Sequence, residues 1–252
     1  MQKSIRSWIV LTPLVLLLFF NGRVVDPVGK ITFPLNRVFV IRPGQDRPLM
    51  ATFNMDVYPG DKVETKKESR CEITFLNGHV VRLDENSIYT LEQVEISEKR
   101  TRVESGLSLG RLWSNIRKIF SKEDYFRVKS PTAVVAVRGT IYRVNANPDS
   151  STEVYVYQGE VAVSPAKAGP GQPQGGGGGP KRLQKPSQVA PPTQVQGPTE
   201  VSLETWFEIV KAQQQIIVRP DGSYQKASFD PAKDATLDWV QWNKERDALL
   251  QR

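Results

Sequence analysis

The residues of this chain that could carry covalent or acid–base chemistry are few. Gly106-Leu107-Ser108-Leu109-Gly110 spells the G-x-S-x-G of a hydrolase nucleophile elbow. Such an elbow joins a buried strand to a helix, and its histidine follows the serine in the chain. Here the single histidine, His79, comes before it. A single cysteine, Cys71, rules out an intramolecular disulfide, and one Cys with one His leaves a zinc site without ligands, although all-carboxylate sites stay open. Cys71, Ile73 and Phe75 alternate onto one strand face, so the thiol is expected to act as a small buried apolar group. His79, following Asn77-Gly78, is expected at an exposed hairpin tip. Asp84-Glu85 and Glu123-Asp124 are the residue type a glycosidase needs in facing pairs, but both runs sit in polar turns where solvation is the expectation. Gly175–Gly179 is followed by Pro180-Lys181-Arg182 instead of Gly-Lys-Ser/Thr, so it is no phosphate loop. The expectation is a non-enzymatic protein with no cofactor and no metal.

The segments that would position any site are short strands. In residues 130–163, Val134, Val135 and Val137 lead into Arg138-Gly139-Thr140, then Ile141, Tyr142 and Val144. Val154–Tyr157 run up to Gln158-Gly159, and Val161 and Val163 follow. Runs of β-branched and aromatic residues separated by Gly, Asn, Asp and Ser are strands with turns between them. Gly139 inside such a pattern predicts a bulge or a close backbone approach. Further strands are expected at Val38–Ile41, Cys71–Leu76, Val80–Leu83 and Ser87–Val94, with Asn77-Gly78 as a type I′ hairpin turn. Regular short strands of this kind predict a mainly β fold, a compact β-sandwich or β-roll.

These same residues resemble the FecR-domain family, whose hallmark is a TP-x-A-x-x-x-VRGT strand followed by a V-x-x-G-x-V-x-V ending. The matching segments are SPTAVVAVRGTIYRV (130–144) and VYVYQGEVAV (154–163), with the motif positions Pro131, Thr132, Arg138, Gly139, Thr140 and Gly159 expected to be structural. VYPGDKVETKKESRCEITFLNGHVVRLDENSIYTLE (57–92) is similar to the family's first half, and the resemblance covers roughly residues 35–165. It implies an extracytoplasmic domain that contacts an envelope partner, in the best-known members an outer-membrane receptor carrying an iron complex. The family's transmembrane regulators place a longer cytoplasmic segment before their span to work on a sigma factor. About seven residues stand in that position here, so the resemblance implies a FecR-like domain lacking that segment.

Net charge is +7, which raises the question of nucleic acid. Its distribution answers it: residues 1–55 carry +5, residues 56–163 carry 16 charges of each sign, residues 164–200 carry +3 and residues 201–252 carry −1. A neutral core has no field to draw phosphates, and no nucleic-acid partner is expected.

Lys3 and Arg6 precede an apolar run from Trp8 to Phe20. This reads as an export signal; the flanks of residues 7–23 favour an uncleaved single-pass anchor over a removed signal peptide or a buried helix of a cytosolic protein, and an anchor would put everything after residue 24 outside the cytoplasm. Residues 107–120 show apolar positions at helical spacing, predicting a short amphipathic helix that caps the core or touches lipid or a partner. Residues 166–200, rich in Gly and Pro, read as a disordered linker. Residues 201–219 and the stretch after Asp234 read as helices, and Trp239 and Trp242, three apart, share one face. That face, with Trp113, either docks on the β-domain or forms a partner patch.

The expected organisation is therefore a signal anchor or signal peptide (1–23), a FecR-like all-β domain (24–165), a linker (166–200) and a helical tail (201–252). The expected role is binding or signalling with an envelope protein from an inner-membrane-anchored, periplasm-facing position. The alternative is a structural surface module, periplasmic or secreted after cleavage, that binds polysaccharide or appendage subunits.

Overall fold

The computed structural model describes residues 25–97, 100–119, 121, 123–166 and 208–250; the anchor segment (1–23) and most of the linker lie outside them. The described chain is mainly β, as expected, and forms two sheets. The first runs β4 (Asp56–Val57), β1 (Gly29–Leu35), β6 (Arg70–Phe75), β7 (Val80–Leu83), the second part of β9 (Arg100–Asn115), β12 (Ile141–Ala146), β13 (Thr152–Gln158), β16 (Gln214–Val218) and β17 (Tyr224–Ser228), all antiparallel. The second runs β3 (Leu49–Met50), β2 (Val38–Ile41), β5 (Lys62–Thr65), β8 (Ile88–Ser97), the first part of β9, β10 (Tyr125–Lys129), β11 (Ala133–Val137), β14 (Glu160–Pro165) and β15 (Glu208–Lys211). Among the described residues the parallel contact is β9 with β10.

The alternation along each strand sends one set of side chains between the sheets. Ile31, Ile73, Tyr142 and Val154 from the first sheet meet Val40, Tyr89, Val103 and Val135 from the second in a single core. Phe75 meets Phe126 edge-on across it at 5.8 Å. Each such apolar side chain contributes about 1.5–3 kcal/mol by leaving water. Cys71 lies in this core with no exposure, as its alternation implied, and burial pushes its thiol pKa up.

The sheets are joined by strands that bend from one to the other, as sandwich corners require. β9 leaves the second sheet for the first at Gly110, whose φ of +94° a β-carbon would strain and whose added Cβ would lie 2.5 Å from Ser87 Cα. This corrects the helix expected over 107–120. Past the bend both faces of the strand are covered, so Leu112, Trp113 and Ser114 are all buried in succession. Two-sided burial after a phase break imitates helical spacing. Ser108 sits at the register shift of β9 against β8, exposed on a strand instead of on a strand–helix elbow.

The Asn77-Gly78 hairpin is present between β6 and β7, with a different turn. Gly78 alone takes a positive φ, +78°, and Phe75 N donates to His79 O at 2.9 Å. That is a type I turn closed by a glycine bulge, not type I′.

The tail also differs from its reading. Within 201–219 the described residues form two strands, not a helix: β15 extends the second sheet beside β14, and β16 extends the first beside β13. Val210, Ile216 and Val218 point inward from them, and a two-strand edge buries these as well as a helix face would. Helix enters only at α1 (Pro231–Asp234), capped by the Asp230 carboxylate, and α2 (Asp238–Leu250). α2 lies on the outer face of the first sheet, where Trp239 and Val240 pack with Trp113 and Tyr157. No described helix is long and apolar enough to cross a membrane.

Candidate interaction surface

The residues of the 130–163 motif build a corner. β11 ends in the second sheet at Val137 and β12 begins in the first at Ile141, so Arg138-Gly139-Thr140 is the crossing. β13 and β14 cross back at Gly159, and β15 and β16 cross beside them at Ala212-Gln213. The crossings touch. Ala212 N donates to Gly159 O at 3.0 Å, and a Cβ on Gly159 would stand 2.9 Å from Gly139 O. Gly139 itself has φ +122°, and a Cβ there would lie 2.8 Å from Lys118 Cα. Both the close approach and the unusual dihedral expected of Gly139 are therefore present. Gly139→Val should lower stability by about 3 kcal/mol, the upper end of the range for a strained position, because the neighbour is backbone. An unchanged urea midpoint would remove the strain argument.

Thr140 fastens this corner, while Pro131 and Thr132 lie at the opposite end of β11. Thr140 Oγ1 donates to Glu160 O at 2.8 Å. Pro131 is exposed in the Ser130–Ala133 turn, and Thr132 Oγ1 reaches Thr152 Oγ1 at 2.7 Å and Val218 O at 3.3 Å. Beside the corner lies an open cleft of about 530 Å³ lined by Gly139 with Arg117, Lys118, Arg138, Gln158 and Leu250.

His79, expected exposed, is buried behind this cleft. Its Nδ1 accepts from the Arg117 backbone amide at 3.2 Å and its ring meets Phe126 edge-on. Burial, with the Arg117 charge, lowers its pKa to about 4, so it stays neutral near pH 7. Asp84, expected to be solvated, is also buried; it pairs with Arg70 at 3.3 Å and with Arg111. Burial raises its pKa, and the Arg111 charge works against that rise.

The tryptophans form an internal clamp. Trp113 and Trp239 are 1% and 2% exposed, and Trp242 stacks on Trp239 at 5.4 Å. The three residues do come together, but two of them are spent on docking α2 and offer no surface to a partner. Under them lies a charge network that the sequence reading missed. Arg82, fully buried, bonds Glu72 at 2.6 Å and Asp247 at 2.6 Å. Trp113 Nε1 donates to the other Asp247 oxygen at 2.9 Å. Arg246 grips Glu72 with two bonds of 2.9 Å, and Thr32 Oγ1 adds a third donor at 2.8 Å. Burial alone would raise the Glu72 pKa, but hydrogen bonds from Arg246 and Arg82 outweigh it and hold it near 2. At the edge of the clamp Arg143 bonds Asp234 at 2.8 Å and Tyr157 donates to the same carboxylate at 2.5 Å. One part of this was within reach of the sequence, since the Asn-Gly hairpin register places Glu72 opposite Arg82. The α2 partners were not.

Residues 61–162 match the family model described as FecR protein. Two crystal structures of a Parabacteroides distasonis ATCC 8503 protein named as an anti-sigma factor, at 1.65 and 2.50 Å, align at 18% identity with a TM-score of 0.44. The alignment covers 67% of this chain and 60% of theirs, so this chain spans less than two thirds of their length. No curated protein matches.

Proposed function

We propose, from the premise that residues 61–162 of this chain are a FecR domain, that the protein is a non-catalytic envelope component that binds a protein partner to pass a signal. The FecR match supports a regulatory role. Residues 7–23 hold the β-domain outside the cytoplasm in this proposal. The observation that carries the non-catalytic part is where the chemistry-bearing side chains go. His79 and Asp84 are buried on internal partners, Glu72, Arg82 and Asp247 hold the tail, and Ser108 sits on a strand bulge. Their geometry supports docking and does not assemble a nucleophile with a base. The alternative of a structural module gripping polysaccharide through tail aromatics loses its surface, because Trp113 and Trp239 are covered.

In-cell crosslinking of the tagged full chain, followed by mass spectrometry, tests the reading. Recovery of an outer-membrane receptor or an inner-membrane regulator is expected. Recovery of surface glycans or appendage subunits alone would overturn it in favour of the structural module. A reporter fused to the carboxyl terminus that is active only in the cytoplasm would overturn the placement.

A further inference from the structure

Resting on the anchor reading above, we propose that the β6–β7 end of the sandwich seats on the anionic headgroups of the membrane that residues 7–23 enter. The chain joins the domain at this end: Val25 stands just before β1, and the Val28 carbonyl accepts from the Leu76 amide at 3.0 Å. Val25 and Leu76, 53% and 61% exposed, are among the most exposed apolar side chains described, and Leu250, 45% exposed, lines the adjoining cleft. Three exposed cations, Arg117, Lys118 and Arg138, line the same cleft, and none of the described residues lining it is a carboxylate. The Arg117 guanidinium lies against Gly78, so the cations follow directly on the hairpin tip that carries Leu76.

The opposite end of β1 differs in charge. It lies about 20 Å away, at Leu35, by the rise of an extended strand. There a smaller cleft of about 320 Å³ carries Glu68, Asp84, Glu85 and Asp238 among its lining, with Arg70 and Arg111. The two clefts differ in charge, not in apolar character: the described charged residues lining the first are three cations, whereas the far one sets four carboxylates beside two arginines, and both expose leucine. A surface of exposed leucine beside clustered cations complements an anionic bilayer, which attracts each nearby cation and admits the apolar groups at headgroup depth. Residues 24–28, between the anchor and β1, reach at most about 18 Å when fully extended, so the tether holds this end, not the other, near the surface. Tethering also raises the effective concentration of the bilayer at this face, so a weak surface suffices.

Two variants of the full chain that each add one exposed thiol, Leu76→Cys and Leu237→Cys, provide the test, since the native Cys71 is fully buried. Leu237 lines the far cleft and is 45% exposed. Each is labelled with an environment-sensitive fluorophore and mixed with phosphatidylcholine vesicles with or without phosphatidylglycerol, bearing a nitroxide quencher at headgroup depth. Flotation with both vesicles is expected, with the label at 76 blue-shifted and quenched only when phosphatidylglycerol is present, and the label at 237 unchanged. Arg117→Gln and Lys118→Gln should each weaken that response about fivefold, and added salt should do the same without any substitution. Flotation with a label at 76 that stays aqueous would overturn the seating and leave the anchor intact. Flotation only with phosphatidylglycerol would support the seating while removing the anchor. No flotation with either vesicle would overturn both. Loss of the signal on adding inorganic phosphate at constant ionic strength would assign the cleft to a small anion and overturn the seating.

Discussion

Asp247→Ala should cost about 3–5 kcal/mol, because it strands the Arg82 guanidinium in a site with no exposure. Asp247 is the carboxylate that answers both Arg82 and the Trp113 indole, at 2.6 and 2.9 Å. Glu72 remains, but it already serves Arg82, Arg246 and Thr32. A buried charge that loses half its compensation is far costlier than the intact pair is stabilising. Two further measurements separate this account from simple loss of packing. Arg82→Met combined with Asp247→Leu removes both charges and should recover most of the loss, whereas a packing defect would not be repaired. The acid limb should also respond to Glu72. Its pKa is held near 2 in the folded state against an ordinary 4.5, so the unfolded chain binds the proton more tightly. The stabilisation, about 3 kcal/mol, is fully present above pH 4.5 and is lost as pH falls toward 2. His79 adds a loss of the same sign between its ordinary 6.5 and about 4, while Asp84, its pKa raised by burial, works in the opposite direction. Urea midpoints of the wild type measured from pH 7 to 3, set beside those of Glu72→Gln, check this. A substituted chain that keeps the full acid slope would show that Glu72 carries none of it.

Ending the chain after Phe229 should remove about 5 kcal/mol or more, which is most of what a domain of this size has to lose. The truncation deletes Trp239, Val240, Asp247 and Arg246, and it opens Trp113, Tyr157 and Arg82 to water. The two buried apolar groups alone account for about 3–6 kcal/mol. Near-ultraviolet circular dichroism should lose its tryptophan signal, and proteases should cut within residues 61–162. A truncated chain with the wild-type urea midpoint would mean that α2 merely rests on the sheet. The result bears on function because the segment after residue 162 lies outside the FecR match and yet supplies strands to both sheets and a lid to one of them. A partner that pulled α2 away would expose a charged and aromatic face otherwise hidden, at a free-energy cost of the size this truncation measures.

Much of the fold was legible from local pattern. Short alternating runs specify strands because a pleated chain shows its faces every second residue, and β2, β11, β13 and β14 obey this where one face meets the core. The glycine at 139 was readable for the same local reason: a turn with positive φ has few acceptable residues. Cys71 followed its strand inward. Three of the readings that failed did so where a second layer changed what burial means. Residues 107–115 and 208–218 looked helical because the sequence does not announce that a strand bends at Gly110, or that a corner at Ala212-Gln213 lets two short strands bury apolar groups in different sheets. His79 looked exposed because the hairpin tip gave no hint of the 116–119 segment that lies over it.

The interaction surface divides along the same line. By itself the sequence determined the mainly β character, the FecR resemblance and the motif residues of the corner, since each depends on residues close together in the chain. Only the tertiary structure decided that Arg82 would meet Asp247 across 165 residues, that the tryptophans would be spent inside, and that Leu76, Arg117 and Arg138 would share one end. Such contacts depend on which strands neighbour which, and that order is set by the summed burial of the whole chain, which no local window contains.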